Sequence, residues 1–391
     1  MSGREAGEYG VSAEESTVYD ALVVGAGPAG CAAAYDLAST GRKVLLVDRF
    51  EFPRTKACAG ALTVKTLRAL RFSVAPVIRE VCRSLVVGLR TDKFRTLQGA
   101  DPICAMTVRS ELDSFVLEKT IERGAEFRQI TRILSIHINR NRVEIETESE
   151  RILASYLVGA DGANSTVAQL TGDCPSVFAG FAVECHIRTE KRYEMEFDFG
   201  VVPFGYGWVF PKGDHLNVGI YTNLPRRGVV TIEHLREYAN VRLGDGKLEA
   251  IIGHPIGLGG PGYRPHSKRV FIVGDAAGLV DPLLGEGIYN AVVSGQAAAA
   301  AITCGGNDPA LALQVFRQRM RTIRHDLEFC RDSAEMFYGD VDAGYRLLTS
   351  FIPRYALMKG FAAGRTFGAT RRYFYAIPFA RPPKLDLPSG M

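Results

Sequence analysis

One tryptophan and seven histidines in 391 residues leave little material for a histidine-rich metal centre. Eight cysteines, at positions 31, 58, 82, 104, 174, 185, 304 and 330, include no C-x-x-C pair. That excludes zinc-ribbon, thioredoxin-like and cluster-ligating spacings, and no metal is expected. The cysteines are also too sparse for a disulfide scaffold and read as reduced thiols, most of them small buried hydrophobes. No apolar run approaches the ~18 residues of a membrane span. Residues 1–19 are polar and acidic, a loose leader without a signal-peptide pattern. An excess of one charge is missing too: Lys+Arg 47 against Asp+Glu 43 leaves +4, too little to imply a nucleic-acid partner. A cytoplasmic protein without internal repeats or low-complexity tracts is expected.

Glycine is plentiful: 41 residues, against a usual share of ~7%. Hydrophobic residues at 47% and charged residues at 23% fit a globular chain. The apolar run Asp20–Val24, cut off by Gly25, predicts a strand. Small residues from Ala29 to Thr40 predict a helix stopped by Gly41, and Lys43–Asp48 predicts a second buried strand. This is a βαβ unit with the near-continuous apolar strands of a parallel sheet. A loop follows over 51–66, then a helix into Leu70, then alternation over Ser84–Leu89 and Phe94–Leu97. Ser110–Gly124 predicts an amphipathic helix with Leu112, Phe115, Val116, Lys119 and Ile121 along one face and Ser110 as its cap. Strands at Ile133–Asn139 and Arg142–Thr147 precede Leu153–Ala160. Residues 178–222 alternate in several runs, as an antiparallel sheet does, and Val270–Val273 returns to a parallel-type strand. Gly285–Ala301 predicts a long small-residue helix, and 307–391 begins helical and becomes aromatic and basic.

The sharpest local signal is Gly25-Ala-Gly27-Pro-Ala-Gly30, between a strand and a helix. Gly25 permits the tight turn, Gly27 lets a pyrophosphate approach the backbone, and Gly30 lets the helix pack on the strand. Free amides at the helix start, from Ala29 onward, attract phosphate. Asp48 ends the second strand 23 residues after Gly25, where a carboxylate meets a ribose hydroxyl, with Arg49 beside it. Two further segments accompany this fingerprint: Val270-Phe-Ile-Val-Gly274-Asp275, followed by Gly285-Glu-Gly287-Ile288, and Asp161-Gly162 after an apolar strand.

With these three segments the chain resembles FAD-containing oxidoreductases of the para-hydroxybenzoate hydroxylase fold. The resemblance implies that Asp275 contacts the ribityl chain and that the helix start near Gly285, Gly287 and Ile288 faces the ring's carbonyl end. It further implies that Asp161 and Gly162 lie near the pyrophosphate, with Arg109 steadying the same region. Within that fold, Tyr206-Gly-Trp208-Val-Phe210-Pro211 resembles the aromatic motif of geranylgeranyl reductases, although only Gly219 remains of the Gly-x-Gly that follows it. In that family these positions line the cavity for the isoprenoid chain. Lys56-Ala-Cys58-Ala59-Gly60 resembles the family's Lys-x-Cys-Gly-Gly loop, with Ala59 in place of one glycine. Cys58 there is either a proton donor or a small polarizable wall beside the flavin, and Tyr206 is the other candidate donor.

The expected architecture is α/β with α+β insertions: a Rossmann-type FAD-binding domain (20–83, 98–172 and 266–306), an antiparallel-sheet substrate domain (84–97 and 173–265), and a C-terminal helical region (307–391). The reaction implied is FAD-dependent hydrogenation of carbon–carbon double bonds in a geranylgeranyl-type chain of a lipid, quinone or prenyl diphosphate. Either NAD(P)H or a reduced ferredoxin-like protein supplies electrons. The competing readings are a monooxygenase on the same scaffold and an electron-transfer flavoprotein that hydrogenates nothing. From Ala343 to Leu385 basic and aromatic residues interleave without any Asp or Glu. Beside a lipid substrate this suggests a peripheral membrane surface, with a solvated basic face as the alternative.

Overall fold

The computed structural model describes residues 17–173, 178–225, 228–244 and 246–371. The parallel sheet expected near the N-terminus runs Glu126–Gln129, Val44–Asp48, Val18–Val24, Arg151–Gly159, Val143–Thr147, Ile133–Ile138. The first four strands pair in parallel and the last two are antiparallel additions. The nine-residue strand Arg151–Gly159 divides its second edge: its start pairs Val143–Thr147 and its end pairs Val270–Ile272 in parallel. Strands buried on both faces need unbroken apolar runs, and Val44–Asp48 is buried at every position.

Helix Pro28–Ser39 packs against helix Ile288–Gly305 with almost no side chain between them. A Cβ on Gly295 would stand 2.1 Å from the Ala29 carbonyl oxygen, so the Ala- and Gly-rich sequences of both helices are what their spacing requires. The second helix begins at Ile288 rather than Gly285, because residues 281–287 form a separate turn closed by Asp281 N–H to Glu286 O and Gly285 N–H to Asp281 O.

The predicted amphipathic helix spans Arg109–Glu122, and its buried face is Leu112, Asp113, Val116, Leu117 and Thr120. Ile121 falls off that stripe and is exposed, and Ser110 lies inside the helix rather than capping it, since Val108 is the N-cap.

The second sheet runs Glu249–Leu258, Phe178–Arg188, His215–Thr222, Gly205–Pro211, Glu196–Phe199, Ser84–Leu89, Lys93–Gln98. It is antiparallel except where Glu196–Phe199 meets Ser84–Leu89 in parallel, the join between segments distant in the chain. A small third sheet of Ala61–Thr63, Cys104–Thr107 and Ile78–Cys82 sits alongside. Helices Pro309–Gly339, Val341–Thr349, Phe351–Ala362 and Phe367–Arg371 cover the space between the two large sheets. Asp308 caps the 31-residue helix through Ala310 and Leu311 N–H, and Phe316, Met320, Ile323, Leu327, Cys330, Ala334 and Tyr338 form its buried stripe at helical spacing. The basic-aromatic stretch from Arg372 through Tyr373, Phe374, Tyr375, Phe379, Arg381 and Lys384 lies outside the described residues, as does most of the acidic leader. Among the described residues no helix is long and apolar enough to cross a membrane.

Candidate active site

Four of the five parallel strands bring the expected glycines and acids together at one edge. Gly25, Asp48, Asp161 and Asp275 each follow or end a strand of the first sheet and line one cavity of about 1440 Å³. Ligands of open α/β sheets bind at the carboxyl ends of the strands, and ~300–1,000 Å³ suits one small ligand. This cavity therefore has room for a cofactor and a second occupant.

The three glycines of the fingerprint have different duties. Gly25 has φ +103°, and a Cβ there would stand 2.3 Å from the Ala160 carbonyl oxygen. A Cβ on Gly30 would meet the Gly25 carbonyl oxygen at 1.8 Å, so Gly30 packs beneath the turn and does not line the cavity. At Gly27 the nearest atom to such a Cβ is Arg54 Nη2, 3.5 Å away. Gly27 thus keeps open a space in front of the helix start, with a guanidinium on its far side. Arg54 Nη2 pairs with Asp113 at 3.1 Å, while its buried Nε has no hydrogen-bond partner. A cleared glycine, an uncapped helix N-terminus and an orphaned buried N–H form a cradle suited to a diphosphate such as that of FAD.

Asp48 holds the same turn from the side, accepting from Ala26 N–H at 2.7 Å and from Phe50 N–H at 3.0 Å. Arg49 is exposed at the rim with its guanidinium over the Phe50 ring. Ala29, Gly162, Gly285, Gly287 and Ile288 line the cavity; Gly274 lies behind it, its N–H donating to Ser294 Oγ. The Asp161 carboxylate is committed to the backbone: it accepts from Ser165 Oγ at 2.6 Å and from the amides of Thr166 and Val167, the start of helix Thr166–Thr171. Burial raises its pKa against those bonds. Arg109 is buried and forms a two-bond pair with Asp113, at 2.9 and 2.8 Å. Burial works against its charge, but Asp113 and Cys58 together offset that and its pKa is raised.

Cys58, Ala59 and Gly60 form the cavity's floor. Cys58 is half-buried; its Sγ accepts from Gly60 N–H at 3.4 Å and lies within hydrogen-bonding reach of Arg109. Its backbone N–H donates to Glu184 Oε1 at 3.1 Å. Glu184 also takes a bond from Asn217, whose Oδ1 accepts from Trp208 Nε1 at 2.6 Å. Lys212 lies behind the loop, its Nζ donating to the Ala59 carbonyl, and burial lowers its pKa to about 8. Across the cavity Lys56 Nζ contacts His254 Nε2, and burial with the cations Lys56, Arg109 and Arg54 lowers the His254 pKa to about 3, leaving it neutral.

The aromatic motif occupies strand Gly205–Pro211, where alternation puts Tyr206, Trp208 and Phe210 on one face. All three line the cavity. Pro211, expected among them, falls on the other phase of the strand and does not line it. Phe197 packs 5.0 Å from Tyr206 and 5.2 Å from Phe210, and Phe199 packs 4.7 Å from Phe337 of the covering helix. Gly219 faces Trp208 across the ladder, and a Cβ there would stand 2.1 Å from the indole ring. That glycine is what lets the indole lie flat on its neighbour strand. Tyr206 Oη donates to Leu284 O at 2.5 Å, and burial pushes its pKa up, so its proton is firmly held. Glu286, also at the cavity, is bound by Lys65 and by Thr63 Oγ1, each at 2.6 Å.

Sequence reasoning met Lys56 only as part of the loop motif and assigned no role to Arg54, His254, Glu184, Asn217 or Lys212. The available signal was polarity in the wrong phase: Glu184 and Asn217 occupy buried positions of otherwise apolar strands.

An FAD binding domain family model matches residues 18–182. An uncharacterised protein of Methanosarcina barkeri is 34% identical over 356 residues, 89% of this chain and 91% of that protein. Geranylgeranyl diphosphate reductase of Rhodobacter capsulatus is 32% identical over 297 residues, 72% of this chain and 74% of the relative. Among solved structures, a geranylgeranyl bacteriochlorophyll reductase-like protein of Thermoplasma acidophilum superposes with a TM-score of 0.77 at 20% identity, covering 92% of this chain and 99% of the other.

Proposed function

This chain belongs to the geranylgeranyl reductase family of FAD-dependent oxidoreductases, and from that premise we propose that it hydrogenates double bonds of a geranylgeranyl-type chain drawn from a lipid surface. The observation that carries this reading is the continuity of one cavity from the Gly27–Arg54 cradle to the aromatic wall of Tyr206, Trp208 and Phe210. A chain with few polar groups is held by apolar and aromatic area rather than by hydrogen bonds.

The chemistry that FAD supplies when bound is hydride donation to one alkene carbon. Gly25, Gly27, Asp48, Arg54 and Asp275 hold the cofactor in this reading, with Arg109 anchoring the nearby loop. Cys58 gives its thiol proton to the other alkene carbon. The sulfur left behind keeps its contact with Gly60 N–H, beside the Arg109 guanidinium, and takes its next proton from solvent. Tyr206, whose hydroxyl is already donated to Leu284, serves as wall.

The test is an anaerobic single turnover. The photoreduced protein is mixed with a geranylgeranyl lipid, and the flavin spectrum and product mass are followed. Reoxidation with two hydrogens added per bond is expected. Reoxidation that requires oxygen and inserts an oxygen atom would overturn the reading in favour of a monooxygenase. NAD(P)H and reduced ferredoxin, compared as reductants of the same protein, distinguish the two donor classes.

Trp208→Ala should keep its flavin and lose long-chain turnover. The lost wall corresponds to about 2–4 kcal/mol of chain positioning, on the order of 30- to 700-fold in kcat/KM. Turnover within a factor of two of wild type would make Trp208 ordinary core.

The cavity's rim carries the lipid part of the proposal. Met336 and Leu347 line the cavity while 69% and 55% exposed, and Phe351 and Ile352 beside them are 73% and 62% exposed. Arg354 and Lys359 lie over the Phe351 and Tyr355 rings, and Arg346 is exposed nearby. Apolar side chains ringed by cations suit an anionic bilayer interface. The double variant Phe351→Asp/Ile352→Asp should co-sediment with phosphatidylglycerol vesicles at least about tenfold less, with flavin content unchanged. Equal sedimentation would remove this face from membrane contact.

A further inference from the structure

Three tyrosine hydroxyls converge on three successive carbonyls of the turn 281–287. Tyr221 Oη donates to Pro282 O at 3.2 Å, Tyr338 Oη to Leu283 O at 2.5 Å, and Tyr206 Oη to Leu284 O at 2.5 Å. Asn223 Nδ2 adds a second, longer contact to Pro282 O at 3.4 Å. Inside the turn, Leu283 N–H donates to Asp281 Oδ1 at 2.7 Å and Gly285 N–H to Asp281 O at 2.9 Å. All three phenols are buried, so the Leu283 and Leu284 carbonyls depend on their phenols in place of water, while Pro282 O keeps Asn223 as a second donor.

The donors come from different bodies. Tyr206 and Tyr221 face each other across neighbouring strands of the second sheet, rings 5.2 Å apart, and are fixed to one another by the ladder. Tyr338 stands in the last turn of helix Pro309–Gly339, part of the helical cover, next to Met336 and Phe337, which line the cavity. The turn itself ends at Gly287, where helix Ile288–Gly305 begins without a side-chain cap. A Cβ on Gly287 would stand 3.4 Å from Asp275 Oδ1, so this helix end is pressed against the acid at the cavity wall.

We propose that Tyr338 is a positioning residue that couples the seating of the helical cover to the turn 281–287, and so to the helix end that faces the cavity. The inference rests on the reading of the cavity as a flavin and prenyl-chain site. With the cover seated, the Leu283 carbonyl is held and the uncapped amides after Gly287 keep their aim. With the cover lifted, the turn retains only its sheet-borne donors. A helix N-terminus favours negative charge, so a fixed aim makes the bound flavin easier to reduce and a lost aim makes it harder.

Tyr338→Phe removes the hydroxyl and keeps the ring. In the flavin-free protein, hydrogen exchange at the Leu283 and Gly285 amides should rise about tenfold or more, with the Leu216–Ile220 amides unchanged. In the loaded protein the preference for reduced over oxidised flavin should fall about tenfold, ~30 mV for a two-electron couple. In single turnover the saturated rate should fall, with the half-saturating chain concentration little changed. Tyr221→Phe should shift potential and exchange less, because Asn223 still reaches Pro282. Tyr238→Phe is the control: its hydroxyl has no hydrogen-bond partner and its ring lies on Gly207, so it should move neither. Wild-type exchange and potential in Tyr338→Phe, or a larger shift in Tyr221→Phe, overturns the proposal. If no long-chain alkene reoxidises the flavin while exchange and potential shift as stated, the substrate reading fails and the positioning role stands.

Discussion

Gly27→Val is expected to give a folded, colourless protein. The neighbouring glycines show why this position separates cofactor binding from folding. At Gly25 a Cβ would overlap the Ala160 carbonyl, and at Gly30 the Gly25 carbonyl, so side chains there break the turn itself. At Gly27 the backbone is extended, at φ −82° and ψ −175°, and the nearest atom is a guanidinium nitrogen 3.5 Å away, so valine meets no backbone. Its methyl groups instead fill the space before the uncapped helix start, where the proposed diphosphate would lie. Overpacking of a tight site costs ~1–3 kcal/mol, and at the upper end flavin affinity falls by on the order of 10²-fold. Flavin absorbance per protein after gel filtration, with circular dichroism for the fold, reads both halves of the expectation. Full flavin occupancy in Gly27→Val would refute the assignment of this turn to the cofactor.

The second large effect belongs to Cys58. If its thiol supplies the proton, Cys58→Ser should leave flavin content and reduction unchanged and slow substrate-dependent reoxidation by the ~10²–10⁴ typical of a positioned acid. A serine hydroxyl is a much weaker acid than a thiol, yet nearly the same size. The surroundings leave the thiol placed for this role: its Sγ accepts from Gly60 N–H and lies beside the Arg109 guanidinium. Anaerobic stopped-flow reoxidation by a geranylgeranyl substrate measures the step directly. A rate within about threefold of wild type, against that ~10²–10⁴, would make Cys58 a packed wall. Tyr206 is a poor substitute donor, because burial and its bond to Leu284 O both hold its proton.

The glycine turn and strand-end acids proposed to hold the cofactor were legible in the sequence because their requirements are local. A turn with φ +103° at Gly25 and a helix touching it at Gly30 can be written in six residues, and Asp48 and Asp275 are marked by the apolar strands they terminate. The family resemblance put Tyr206, Trp208, Phe210 and Pro211 at the cavity; in the structure strand alternation brings the first three to it and turns Pro211 away. The amphipathic stripe of 110–124 was legible in outline, but its edge was not: Ile121 faces solvent and Ser110 caps nothing, since a helix's buried arc is set by what lies against it.

What surrounds Cys58 came only from the tertiary structure. Glu184 is 126 residues from it, Lys56 meets His254 across 198 residues, and the three carbonyls at 282–284 are held by tyrosines from two strands and a distant helix. Asp161 shows the limit from the other side, a motif acid whose lone pairs went to a helix start five residues on. Spacing along the chain records backbone geometry over a few residues, where sterics leave few choices. Which polar groups end up facing one another across a cavity depends on how two sheets and a helical cover pack together, and no periodicity carries that.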